Sequence, residues 1–179
     1  MLERPDAPNP YDLLPKVPSF QLTSNDIKEG ATLPNEHVSD WVGGANLSPH
    51  LRWSGFPAQT AGFAITCYDP DAPTGSGFWH WAVAGLPSTL TELPRGAGKA
   101  SGGSLPSGAV QLRHDGGGVG YMGAAPPQGD KPHRYIFAVH ALDTDKLDVG
   151  PGAAPAILGF NITFHVIARA TLTAIYQVS

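Results

Sequence analysis

The feature that most constrains this chain is that its apolar residues come in short β-rich runs, each cut off by glycine or proline. Gly62-Phe-Ala-Ile-Thr-Cys-Tyr-Asp69 stops at Pro70, and Phe78-Trp-His-Trp-Ala-Val-Ala84 stops at Gly85 and Pro87. Arg134-Tyr-Ile-Phe-Ala-Val-His-Ala-Leu142 is a third run of strand-forming side chains. In Ala168–Tyr176, Ala170, Leu172, Ala174 and Tyr176 recur with period two, which predicts a final strand. Shorter candidates are Phe20–Ser24, Leu51–Trp53 and Ala109–Leu112. Between residues 154 and 168 the spacing changes: Ile157, Phe160, Phe164 and Ile167 fall at helical intervals, predicting an amphipathic helix with that stripe as its apolar face. Strands outnumber helices, so the expected fold class is mainly β, a sandwich or β-rich α+β domain with one late helix.

At 179 residues the chain is the size of one domain, placed at 19–179. Residues 1–18 hold five prolines and little periodicity, and read as an extended arm that packs on a neighbour. The 22 glycines and 18 prolines call for many turns, and residues 95–131 are the richest in glycine. A loop of that length inside a compact domain points to function. A net charge of −4 leaves no basic face for nucleic acid. No apolar run approaches the roughly 20 residues of a membrane span, and the first ten residues carry prolines and acids where a secretion signal needs an apolar core. The expected location is therefore cytoplasmic. Cys67 stands alone, so no intrachain disulfide can form, and its run reads it as a small strand residue.

Three segments carry polar chemistry at strand ends. In Asp69-Pro-Asp-Ala-Pro73 the prolines fix φ near −65° and hold both carboxylates on a stiff turn. In Phe78-Trp-His-Trp81 the pleat sets His80 opposite both tryptophans. Gly120–Pro127 leads into Gly129-Asp-Lys-Pro-His-Arg-Tyr135, where His133 and Tyr135 share a face. Arg134 points the other way, toward a carboxylate.

These segments, with Asn46-Leu-Ser-Pro49, Leu51-Arg-Trp53 and Phe164–Ala170, resemble the phosphatidylethanolamine-binding protein family, which includes Raf kinase inhibitor protein, and its bacterial branch above all. The resemblance covers roughly residues 20–176. It implies a Greek-key β-sandwich with peripheral helices and a small anion pocket made by Asp69, Asp71, Pro73, His80, Pro127, His133 and Tyr135. It also implies a phosphorylated small ligand, a kinase or protease partner, and a homodimer. Gly123-Ala-Ala-Pro-Pro127 departs from the Gly-Pro-x-Pro-Pro of many relatives, and no helix is expected after Tyr176, which would leave the pocket more open.

An anion beside two carboxylates is repelled by about 4 kcal/mol per pair of charges at 4 Å and an effective dielectric of 20. The favoured arrangement is therefore indirect: a carboxylate accepts one ring N–H of His80, raises its pKa and leaves the other N–H for the ligand. A zwitterionic ligand, with phosphate on the histidines and ammonium on an aspartate, is the second arrangement left open. No Gly-x-Ser-x-Gly elbow occurs and Cys67 has no evident base, so the expected role is binding rather than catalysis, without cofactor or metal. The alternative is a hydrolase using the aspartates and histidines for metal-assisted or acid–base chemistry.

Overall fold

The structure, a computed structural model, describes residues 3–178. Its strands are β1 (Gln21–Thr23), β2 (Leu51–Ser54), β3 (Gly62–Asp69), β4 (Phe78–Pro87), β5 (Glu92–Leu93), β6 (Val110–Gln111), β7 (His133–Leu142) and β8 (Val166–Tyr176), with one helix, α1 (Pro155–His165). They form an antiparallel three-stranded sheet, β1-β2-β5, and an antiparallel five-stranded sheet, β6-β4-β3-β7-β8. The mainly β expectation holds.

Strand β3 lies at the centre of the larger sheet and is buried on both faces, which is why its run is apolar without alternation. Phe63, Ile65 and Cys67 point toward Leu51, Trp53 and Leu93 of the smaller sheet and form the main core. Trp53 meets the Phe63 ring edge-on at 5.5 Å. On the other face small residues, Ala64, Ala82 and Ala84, receive Leu158 and Ile162 of α1. Cys67 is a buried strand residue, and burial pushes its thiol pKa up.

The helix departs from expectation in its end and its buried face. The helix ends at His165, because Val166 already pairs with Leu142 in the sheet, and its buried face is Pro155, Leu158 and Ile162. Ile157, Phe160 and Phe164 point outward, with Phe160 and Phe164 64% and 67% exposed. Two apolar stripes one residue apart fit the same periodicity, and the alanine floor of the sheet admits only one of them. The arm, for its part, lies on its own chain: Arg134 Nη2 donates to the Ala7 carbonyl at 2.7 Å and the Arg169 amide to that of Pro18 at 2.9 Å. A single 3-10 turn, Pro10–Asp12, interrupts it.

The long glycine-rich loop contains β6 where a short strand was expected, and its remainder is irregular but anchored. Gly98 N–H donates to Ser48 Oγ at 2.8 Å, and Gly123 N–H to Asn46 Oδ1 at 2.6 Å. Asn46 sits at φ 57°, a left-handed conformation that asparagine tolerates better than most residues. The Asn46-Leu-Ser48 segment thus acts as a bracket for the loop that walls the site.

Candidate functional site

Asp69 ends β3, and the proline-stiffened turn brings the Asp71 amide back onto Asp69 Oδ1 at 2.7 Å. On the adjacent strand, His133 Nδ1 donates to Asp69 Oδ2 at 2.7 Å, and its Nε2 donates to Asp130 Oδ2 at 3.1 Å. Burial lowers the pKa of this imidazole, but the two carboxylates outweigh burial and hold it above the ordinary histidine value. Both ring nitrogens of His133 thus face carboxylates, and Arg4 Nη2 lies 3.2 Å from Nε2. Asp130 also accepts Arg4 Nη1 at 3.0 Å and Nη2 at 2.6 Å, and that guanidinium holds its carboxyl well below the usual range. Its Oδ2 faces both Arg4 Nη2 and His133 Nε2.

Asp71 is used elsewhere. Its carboxylate takes Arg134 Nε at 2.7 Å and Nη2 at 2.8 Å in a two-pronged pair, as the outward placement of Arg134 anticipated. Burial raises the Asp71 pKa, and the Arg134 donors more than reverse that. Asp71, expected in the ligand set, does not line the cavity formed by the other expected residues. Its role is to fix the turn that carries Asp69.

The other expected residues come together. Asp69, Pro73, His80, Pro127, His133 and Tyr135 line a cavity of about 220 Å³, joined by Phe78, Met122 and Trp41. His80 reaches it through a β-bulge: Cys67 pairs with Trp81 but Tyr68 with Trp79, so two steps on β4 face one on β3. The bulge also separates the tryptophans, which simple alternation places together. Trp81 enters the main core, while Trp79 packs on Tyr68 at 4.5 Å.

The expected carboxylate partner of His80 is replaced by a backbone group: Nδ1 donates to the Met122 carbonyl at 2.8 Å. Burial then lowers the His80 pKa rather than raising it, so the ring is neutral with Nε2 as its open nitrogen. Tyr135 meets the His80 ring edge-on at 5.0 Å. Its side chain is 1% exposed, and its hydroxyl has no hydrogen-bond partner among the described residues. Burial also pushes its pKa up, so it stays a hydroxyl donor.

Around the cavity, charge is locally balanced: Arg4 with Asp130, Arg134 with Asp71, and His133 with Asp69. Sequence reasoning missed Asp130, although its place three residues before His133 on a Gly-Asp-Lys-Pro turn was a usable signal. Nothing in the sequence pointed to Arg4 or to the Met122 carbonyl. Among the described residues, the carboxylate–imidazole group with metal-like spacing is Asp26, Glu36 and His37, none of which lines this cavity. Arg95 already pairs with both of those acids.

Sheet order, cavity and site residues together describe one kind of protein. The phosphatidylethanolamine-binding protein family matches residues 23–177, and the chain belongs to that family. It is 51% identical over 160 residues to the UPF0098 protein YbhB of Escherichia coli K12, covering 88% of this chain and all of YbhB. The crystal structure of Escherichia coli YbcL, described as a member of the mammalian PEBP family, superposes with a TM-score of 0.87 at 50% identity, covering 90% of this chain and 99% of YbcL. A homologue from Chlamydia trachomatis, CT736, gives a TM-score of 0.75 at 28% identity over 90% of this chain and 99% of its own. Among the described residues no helix is long and apolar enough to cross a membrane.

Proposed function

We propose that the cavity binds a small phosphorylated anion, inorganic phosphate or a phospho head group such as phosphoethanolamine, and that binding takes up a proton on His80. The observation that carries this reading is the buried Tyr135 hydroxyl, left without a partner on a ring that lines the same cavity as His80 and meets its ring edge-on. Leaving a buried donor unsatisfied costs about 1–3 kcal/mol, a cost that a ligand oxygen removes. The ion pairs around the cavity are already balanced, so they offer an incoming anion no net positive charge. His80 is the group that can supply it, by protonating at Nε2 and donating to the ligand. The wall formed by Asp69 suits the ammonium of phosphoethanolamine.

Recognition is favoured over hydrolysis because the acids such chemistry would need are engaged: Asp69 by His133, Asp71 by Arg134, and Asp130 by Arg4 and His133. A kinase or protease partner would meet the bound ligand at the rim, where Trp41 is 74% exposed.

Two results are expected. Calorimetry of phosphoethanolamine in buffers of different ionisation enthalpy should show proton uptake near neutral pH, and His80→Ala should lose it. Affinity should be level below the His80 pKa of the free protein, then fall by up to about tenfold per pH unit until the pKa of the complex is reached. Binding without proton uptake and independent of pH would sink the proposal. Tyr135→Phe should weaken binding by about 1.5–3 kcal/mol, the range for a hydrogen bond to a charged group, while making the ligand-free protein no less stable to urea. A variant that loses stability and keeps its affinity would assign the hydroxyl a structural role instead.

A further inference from the structure

The family match begins at residue 23, yet the chain ahead of it builds one wall of a second cavity, of about 390 Å³. Leu13 and Leu14 of the arm face Phe160 and Ile162 of α1 across it, with Trp79 of β4 at the side. The volume lies in the range of small-molecule sites, roughly 300–1,000 Å³. No residue lines both this cavity and the one holding His80 and Tyr135.

One side chain in this apolar wall is charged. Arg169 of β8 is only 8% exposed. Its Nε donates to His140 Nδ1 at 3.1 Å, and its guanidinium carbon lies 4.6 Å from the centre of the Tyr11 ring. Among the described residues no carboxylate pairs with it; Asp12, on the same arm, is bonded to Lys16. His140 brings no compensating charge. Its Nδ1 accepts from Arg169 and its Nε2 faces Thr66 Oγ1 at 3.0 Å, whose neighbour is the Tyr11 hydroxyl at 3.0 Å. A buried cation held only by neutral partners is an unfavourable arrangement that an anion would relieve.

We propose that this cavity is a second ligand site, for a monocarboxylate carried on an apolar tail. The carboxylate pairs with the Arg169 guanidinium, whose fork matches its two oxygens. The tail lies against Leu13, Leu14 and Phe160. One buried guanidinium balances one negative charge, which favours a carboxylate over a phosphate dianion.

The test is an amide NMR titration of the full chain with decanoate and with decanol, which shares the tail but lacks the charge. Decanoate is expected to shift Tyr11, Leu13, Gly159 and Phe160, and to bind at least about tenfold more tightly than decanol. Arg169→Gln should bring decanoate to the level of decanol. Phe160→Glu, at an exposed position on the cavity wall, should also weaken decanoate and serves if the first variant does not fold. Equal affinities for the two probes, or decanoate binding unchanged in a folded variant, overturns the proposal. So do shifts confined to Met122 and Tyr135, which would place decanoate in the other cavity. Phosphoethanolamine should move those two amides and spare Tyr11 and Phe160, so the two sites fail or succeed separately.

Discussion

Asp69→Ala is expected to lower folding stability by about 3–5 kcal/mol at a pH near 6, the loss typical of removing one partner from a buried ion pair. Both groups are inside: Asp69 is 3% exposed and His133 1%. The substitution strands the His133 Nδ1–H and also removes the acceptor of the Asp71 amide. The sign of its pH dependence follows from the His133 pKa, which the fold raises above the ordinary 6.5. A group with a raised folded pKa stabilises fully below its unfolded value, and that contribution disappears as pH rises through the folded value. The stability gap between wild type and Asp69→Ala, measured by urea unfolding across a range from below to well above the ordinary histidine value, should therefore narrow as pH rises through the raised His133 pKa. Asp69→Asn, which keeps the shape and one carbonyl oxygen, should lie between the two. A gap that stayed constant across that range would trace the loss to packing instead of charge.

Gly123→Ala should abolish phosphoethanolamine binding, with affinity reduced by more than about tenfold, and cost about 1–3 kcal/mol of stability through overpacking. A Cβ at this position would sit 2.4 Å from both the Ser39 nitrogen and the Val38 carbonyl carbon, and 2.7 Å from the His37 oxygen. All three are backbone atoms, which cannot swing aside as a flexible side chain can. The loop must lift, taking with it the neighbouring Met122 carbonyl that fixes the His80 tautomer. Binding is lost because the Nδ1–H of His80 then has no acceptor, so the ring is no longer held with Nε2 toward the cavity and its protonated form loses the carbonyl that supports it. Gly150→Ala, where a Cβ meets nothing within 4 Å, is the matched control and should change neither quantity. Calorimetry and urea unfolding of the two variants decide the matter; binding retained in a folded Gly123→Ala would show that the Met122 contact is dispensable.

Part of the candidate site is legible in the amino-acid order alone. His133 and Tyr135 do face one way and Arg134 the other, because β7 runs without a bulge through those residues and period-two alternation applies. His80 is harder to place. A bulge at that point of β4 separates Trp79 from Trp81, and a bulge depends on how two strands pair, which neither strand reveals alone. The helix shows the same limit from another side. Its existence follows from spacing, but which stripe it buries is decided by the alanines at positions 64, 82 and 84, contributed by other strands.

By itself, the sequence determined the quantities that are local: where strands begin and stop, where proline stiffens a turn, and which side of a regular strand a residue takes. Those depend on backbone sterics and side-chain type within a few residues. Only the tertiary structure decided which groups partner across the chain. It joined Asp130 and Arg4 to His133, gave Asp71 to Arg134 and gave His80 a backbone carbonyl. Those choices set the charges. A carboxylate bonded to His80 would have raised its pKa strongly, whereas here burial lowers it and outweighs the smaller upward pulls of Asp69 and the Met122 carbonyl, which makes Nε2 of His80 the open nitrogen of the cavity.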